Sequence, residues 1–266
     1  MYQLEKMDYL HLNSSQDSSV ADTPISKKID FLEGNKDLYQ NYELGRWIGK
    51  GLNMVWEAIN KETFEIEAIK EIQIKDNNEE NRFKSEIEIR EKIKLHPHPN
   101  LINYKGYYMV SQEIKDGKIK NGYIVMEKGA TSLANYIKIK SENLEYFQEK
   151  NMVEFVKTMI AGHVHLEKLQ IAHRDIKPEN ILIFFSPASL TSFKICDVGV
   201  STVLSSSSNT TTYRTLMGTL TFLSPELLTA YKSNKRLIQY NPYKSDVYSL
   251  GLVFLYFMTF KVFLFL

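Results

Sequence analysis

The stretch His173-Arg174-Asp175-Ile176-Lys177-Pro178-Glu179-Asn180 sets a carboxylate, an ammonium and an amide within six positions, Asp175 to Asn180. Phosphoryl transfer asks for such a set. Little covalent chemistry falls to the protein there; it must orient a hydroxyl and neutralise charge on the transferring group. In such a loop Asp175 can accept the hydroxyl proton, Lys177 can meet a phosphate and Asn180 can hold a metal ion. The rest of the chain is read by asking whether the other parts of such a site lie at workable distances.

Upstream, residues 42–49, 55–60 and 65–72 carry β-branched or aromatic residues bounded by turn signals, which predicts three successive antiparallel strands. Between the first two lies Ile48-Gly49-Lys50-Gly51-Leu52-Asn53-Met54-Val55. Its glycines let backbone N–H groups approach phosphate oxygens. Ala68-Ile69-Lys70 puts a lysine in an apolar strand. Burying that charge unpaired is costly, so phosphate oxygens and a carboxylate are expected near it. Residues 78–94 read as a helix with Phe83, Ile89 and Ile93 near one face and Glu86 on the same side. His96-Pro97-His98-Pro99-Asn100 ends it.

Residues 101–110 and 123–127 read as two more strands flanking an exposed polar loop, 111–122. A short helix is expected at 133–139 and a long one at 144–169. Met152, Phe155, Val156, Met159, Ile160 and Val164 would form the buried face of the long helix, with His163 and His165 structural. Residues 181–183 predict a strand, and Lys194-Ile195-Cys196-Asp197-Val198-Gly199 places a carboxylate at a strand end, where it can bridge Mg²⁺ to phosphates. Residues 201–215 are almost all Ser, Thr and Asn and have little reason to fold alone.

In this order the strings resemble the elements of protein kinases. His173 to Asn180 is similar to the catalytic loop, Gly49 and Gly51 to the first glycines of the glycine-rich loop, and Ala68-Ile69-Lys70 to the strand-lysine element. Asp197-Val198-Gly199 resembles D-F-G. Met217-Gly218-Thr219 and Ser224-Pro225-Glu226 resemble the G-T and A-P-E elements, and residues 246–251 the start of the central helix of the second lobe. Lys177, two residues after Asp175, follows the serine/threonine pattern.

The resemblance implies an α+β, bilobal fold, with a β-rich N-lobe, a mainly helical C-lobe lacking its last helices, and ATP with Mg²⁺ between them. Residues 1–41 would be a flexible extension, 42–127 the N-lobe and 128–266 the C-lobe. Asp175 would be the base, Lys70 and Lys177 the phosphate cations, and Asn180 and Asp197 the metal ligands. Glu86 would pair with Lys70, Glu88 being the alternative. The nucleotide would lie against Ile48, Gly49, Lys50, Gly51, Val55 and Ala68. Met126 would back the adenine pocket, the backbone near Glu127 and Gly129 would take its hydrogen bonds, and Leu182 would be its floor. Asp246 would anchor the catalytic loop. Residues 201–215 would be the activation segment, with Thr215 the first choice for phosphorylation by an upstream kinase, then Thr212 and Tyr213, and Arg174 the cation that meets the phosphate.

Several positions depart from the family pattern. The glycine loop is one residue short, with Asn53 or Met54 in place of the third glycine. Val198 replaces phenylalanine, Ser224 replaces alanine, and Arg90 stands where the family has an apolar residue. The altered glycine loop, Val198, Arg90 and the missing last helices favour the rival reading, a nucleotide-binding scaffold resembling a pseudokinase or an inactive truncated fragment. Composition narrows the rest. The net charge of +1 gives no field for nucleic acid. A single cysteine, Cys196, excludes an intrachain disulfide and suits a reducing, cytoplasmic setting. The apolar end, 250–266, is interrupted by Lys261 and reads as a buried helix rather than a membrane anchor. The expected partner is a protein substrate.

Overall fold

The computed structural model describes residues 38–50, 53–114, 117–185, 191–204 and 211–262. A short helix, α1 (Leu38–Asn41), leads into β1 (Tyr42–Lys50), β2 (Met54–Asn60) and β3 (Ile66–Ile74). Helix α2 (Asn77–Leu95) follows, then β4 (Tyr104–Ile114) and β5 (Gly117–Glu127). The five strands form one antiparallel sheet in the order β1-β2-β3-β5-β4. The region expected as a polar loop at 111–122 is instead largely strand, because β4 and β5 pair in register from Tyr104↔Met126 to Ile114↔Gly117. Pairing with β4, and with β3 as far as Lys120, satisfies the backbone of β5, so a polar run can be strand.

Helix α2 starts where the Asp76 carboxylate accepts the Glu79 N–H at 2.8 Å, satisfying one of the unpaired amides of the first turn. It lies against the sheet through Phe83, Ile87, Ile89 and Ile93, all buried. Gly122 on β5 makes that approach possible, since a Cβ there would stand 2.4 Å from the Phe83 ring. The opposite face of the sheet carries its own small core of Tyr42, Ala58, Ile69, Tyr123 and Val125, closed by Leu38 of α1. Order therefore begins before Tyr42; Leu38 is fully buried.

The second lobe opens with β6 (Thr131–Ser132), α3 (Leu133–Glu142) and α4 (Glu149–Lys168). Then come β7 (Ile171–Ala172), the 3-10 turn Pro178–Asn180, β8 (Ile181–Phe185), β9 (Thr191–Ile195) and β10 (Thr202–Val203). It continues with β11 (Thr212–Thr215), the 3-10 turn Leu220–Phe222, α5 (Pro225–Lys232), β12 (Leu237–Tyr240) and α6 (Pro242–Thr259). Phe155 on α4 and Phe257 on α6 are fully buried, with ring centroids 4.2 Å apart, and Phe147 stacks on Phe257 at 4.0 Å. Burying each such ring contributes about 1.5–3 kcal/mol. The buried face of α4 is narrower than expected. Phe155, Met159, Gly162, His163 and Leu166 turn inward, whereas Ile160 and Val164 are exposed. Among the described residues no helix is long and apolar enough to cross a membrane. The Ser/Thr-rich stretch also gains structure: β11 pairs antiparallel with β12 from Thr212↔Tyr240 to Thr215↔Leu237.

Candidate active site

The loop around Asp175 is held from below by α6. Asp246, buried on that helix, accepts the backbone N–H groups of His173 and Arg174, each at 2.7 Å. These bonds are the anchoring expected of Asp246. Burial pushes its carboxyl up, against the pull of His163, His173 and the two amides. The His173 ring bonds the Cys196 carbonyl at 2.9 Å, and the Cys196 N–H donates to the Asn180 carbonyl at 2.9 Å. Cys196 is thus bonded to both ends of the loop, and Asp197, its neighbour in the chain, is carried to the loop's edge.

Three polar side chains meet at Asp175. Asn180 Nδ2 donates to the Asp175 backbone carbonyl at 2.9 Å and to its Oδ2 at 3.1 Å. Lys177 Nζ lies 2.9 Å from Oδ2. Thr219 donates its hydroxyl to Oδ1 at 2.7 Å and accepts from Lys177 Nζ at 2.8 Å. Thr219 reaches this position because Gly218 takes φ +121°, and a Cβ there would stand 2.8 Å from Leu223 Cδ2. The sequence reading placed Thr219 in a family element but not in the site.

A second cluster sits where β3 faces α2. Lys70 Nζ lies 2.6 Å from Asp197 Oδ1 and 3.3 Å from Glu86 Oε1. Glu86 is buried and Glu88 exposed, so the pairing falls on Glu86. Arg90, 2% exposed, pairs with the same Glu86 Oε1 through Nη2 and through Nε at 3.1 Å. Its guanidinium covers the Tyr104 ring at 4.1 Å. The arginine that looked misplaced in an apolar stripe is therefore part of the cluster. Burial disfavours the Lys70 cation, but Asp197 and Glu86 outweigh it and hold the pKa above its ordinary value. Burial likewise works against the Asp197 anion. Lys70 and Arg90 overcome it and hold that carboxyl well below the usual range, although 41% of the side chain is exposed. Asp197 adopts φ +61°, and Gly199 lies so close that a Cβ would stand 3.2 Å from Asp197 Oδ1.

The residues expected to line a nucleotide slot lie on β1, β2, β3, β5 and β8 and in the segment after β5. Val55 pairs with Gly49 on one side and Lys70 on the other, and Ala68 pairs with Met126. Ala68 and Met126 are buried, whereas Ile48 is 40% exposed. Leu182 lies beneath Gly129, where a Cβ would be 3.0 Å from the leucine's own. The Glu127 N–H is taken by the Asn103 carbonyl at 3.0 Å, so a ligand contact there falls on the Glu127 carbonyl. Its side chain is spent on Lys194 at 2.7 Å. Gly51 and the Lys50 side chain lie outside the described residues. Arg174 donates to the Thr215 carbonyl at 2.6 Å and to the Tyr240 hydroxyl at 3.2 Å. The side chains of Thr212 and Tyr213 lie outside the described residues.

The donors suit a hard cation. Asp197 supplies a carboxylate, and Asn180, whose nitrogen is turned to Asp175, has its amide oxygen to offer. Lys70, Arg90 and the Gly199 N–H all meet Asp197 at Oδ1, which leaves Oδ2 for a metal.

A five-stranded sheet over a helical lobe, with a lysine–glutamate–aspartate cluster at their junction, defines a two-lobed fold of the protein-kinase type. The sequence pattern of the protein kinase domain matches residues 42–265, and the chain belongs to that family. It is 29% identical over 218 residues to an Aurora kinase of Eremothecium gossypii, a match covering 80% of this chain and 51% of that protein. It is likewise 29% identical over 223 residues to the serine/threonine-protein kinase nekl-2 of Caenorhabditis elegans, covering 80% of this chain and 56% of that protein. Against the serine/threonine-protein kinase Aurora-2 of Arabidopsis thaliana it is 24% identical over 217 residues, covering 80% of this chain and 66% of that protein. The chain spans about half the length of the first two relatives.

Proposed function

We propose that this chain transfers the γ-phosphate of ATP to serine or threonine hydroxyls of protein substrates. The observation that carries the proposal is the set of contacts on Asp175. Thr219, Lys177 and Asn180 hold its carboxylate in one orientation, and Cys196 brings Asp197 to the same loop. In this reading Asp175 accepts the proton of the attacking hydroxyl, and Lys177 meets the charge on the transferring group. Lys70, held by Glu86 and Asp197, turns to the phosphates. The slot from Ile48 and Val55 to Met126, Gly129 and Leu182 takes the adenosine. Asn180 and Asp197 would hold Mg²⁺, which when bound neutralises charge on the β- and γ-phosphates. Thr215 is the proposed target of an upstream kinase, since Arg174 already reaches its backbone. A cytoplasmic setting suits the one free, buried thiol.

The test is a thermal-shift titration with ATP and Mg²⁺, run beside phosphotransfer to a mixed serine/threonine peptide library. Wild type is expected to bind and transfer. Asp175→Asn is expected to bind with transfer lowered about 10²–10⁴-fold. Binding without transfer in wild type would replace the enzyme by a nucleotide-binding scaffold.

A further inference from the structure

We propose that Arg90 is a positioning residue, a built-in second cation that keeps Glu86 and helix α2 docked on the site without help from Lys70. The proposal rests on the kinase reading only for its use, not for its geometry. Three observations carry it. First, Lys70 is closer to Asp197, at 2.6 Å, than to Glu86, at 3.3 Å. The Lys70–Glu86 pair is the weaker of the two. Second, Arg90 meets the same Glu86 oxygen with both Nη2 and Nε, and its Nη2 also stands 3.8 Å from Asp197 Oδ1. Third, Arg90 is 2% exposed and clamped over Tyr104. It cannot swing out to solvent without leaving buried Glu86 to the longer Lys70 contact only.

The cluster is thus two cations facing two carboxylates, where Lys70 alone would leave one negative charge in excess. A buried carboxylate stripped of its only cation is strongly disfavoured. With Arg90 present, Glu86 keeps a partner when Lys70 turns away towards phosphate. The departure from the family pattern at Arg90 then has a consequence: Arg90 neutralises Glu86 from within α2 and itself ties the helix to the Tyr104 ring of β4 at 4.1 Å and to Asp197 Oδ1 at 3.8 Å, so docking does not hang on Lys70 alone.

A double-mutant cycle on the full chain tests this, read by hydrogen exchange of the α2 amides without nucleotide or metal. Lys70→Met alone is expected to change α2 exchange by less than about twofold. In an Arg90→Met background the same substitution is expected to speed it about tenfold or more, because Glu86 then has no cation. Arg90→Lys restores the tolerance to Lys70→Met, whereas Arg90→Gln, of similar bulk but neutral, does not. Equal effects of Lys70→Met in both backgrounds would overturn the proposal. If Arg90→Met does not fold, Lys70→Met in the wild-type background decides alone, and loss of α2 protection there overturns it. None of these readouts needs phosphotransfer, so a wild-type chain that transfers nothing would sink the kinase reading and leave this one standing.

Discussion

The Thr219 hydroxyl is bonded to the Asp175 carboxylate at 2.7 Å across 44 residues of chain. With Lys177 and Asn180 on the other oxygen, it holds the Asp175 carboxylate in one orientation. Thr219→Ala removes that donor and frees the carboxylate to rotate. A hydrogen bond to a charged group is worth about 1.5–3 kcal/mol. We expect kcat to fall about tenfold or more, with the KM for ATP unchanged, because Thr219 meets Asp175 and Lys177 and none of the residues proposed to hold the adenosine. Thr219→Ser, which keeps the hydroxyl, should recover most of it. Steady-state kinetics on the three proteins decides; an unchanged kcat in Thr219→Ala would mean that Asp175 is oriented without it.

Gly199, itself exposed, abuts the second cluster. A Cβ there would stand 3.2 Å from Asp197 Oδ1 and 3.3 Å from both Lys70 Nζ and Glu86 Oε2. Gly199→Ala forces those groups apart by a few tenths of an ångström without touching a core side chain. Misplacement of reacting groups by about an ångström costs roughly 100-fold in rate. About tenfold in kcat/KM is expected here, with little change in melting temperature. A large loss of Tm with activity intact would contradict this.

The Asp197 carboxyl is held below its ordinary pKa, with Lys70 the largest of the influences that lower it. The sign follows from linkage. Its contribution to stability is present above the ordinary carboxylate value of about 4 and is lost as pH falls below it. The melting temperature of wild type should therefore drop more steeply between about pH 5 and pH 3 than that of Asp197→Asn. Parallel profiles would show that the carboxylate gains nothing from folding. Cys196 has the opposite sign. Burial pushes its thiol up to about 12, so its share of stability is present below the ordinary thiol value of about 8.5 and is lost as pH rises through 12.

The two helices beneath the site are joined by an aromatic stack. Phe257 of α6 is fully buried against Phe155 and Phe147. Phe257→Ala should cost about 3–5 kcal/mol in urea unfolding, the range for a large buried ring replaced by methyl. Because α6 also carries Asp246, the variant should lose phosphotransfer at temperatures where wild type is still folded. A cost below about 1 kcal/mol would mean that the helix packs otherwise.

Much of the site was legible because its parts are local strings. His173 to Asn180 carries its carboxylate, ammonium and amide within one short run of chain, and Ala68-Ile69-Lys70 lies in a segment rich in β-branched residues bounded by turn signals. The pairing of Lys70 with Glu86 could be expected from helix phase, which puts Glu86 on the buried side with Phe83, Ile89 and Ile93. Arg90 shares that helix phase, one turn on from Glu86, but nothing along the chain says that Glu86 and Asp197 would be the partners of its charge. The ribbon of β11 and β12 was hidden by composition, since Ser and Thr form strands only when a partner takes their backbone groups. The 111–122 segment misled in the same way.

The sequence by itself determined the family and the two lobes, and put forward Lys70, Asp175, Asn180 and Asp197 with either Glu86 or Glu88, since covalent order and side-chain chemistry are enough for those. Only the tertiary structure decided that Thr219 sits on Asp175, that Lys70 favours Asp197 over Glu86, and that Arg90 supplies the second cation. Each depends on angstrom-scale approach between segments far apart in the chain, or on which way a buried side chain points. Those distances arise from packing of the two lobes and are written in no single stretch of residues.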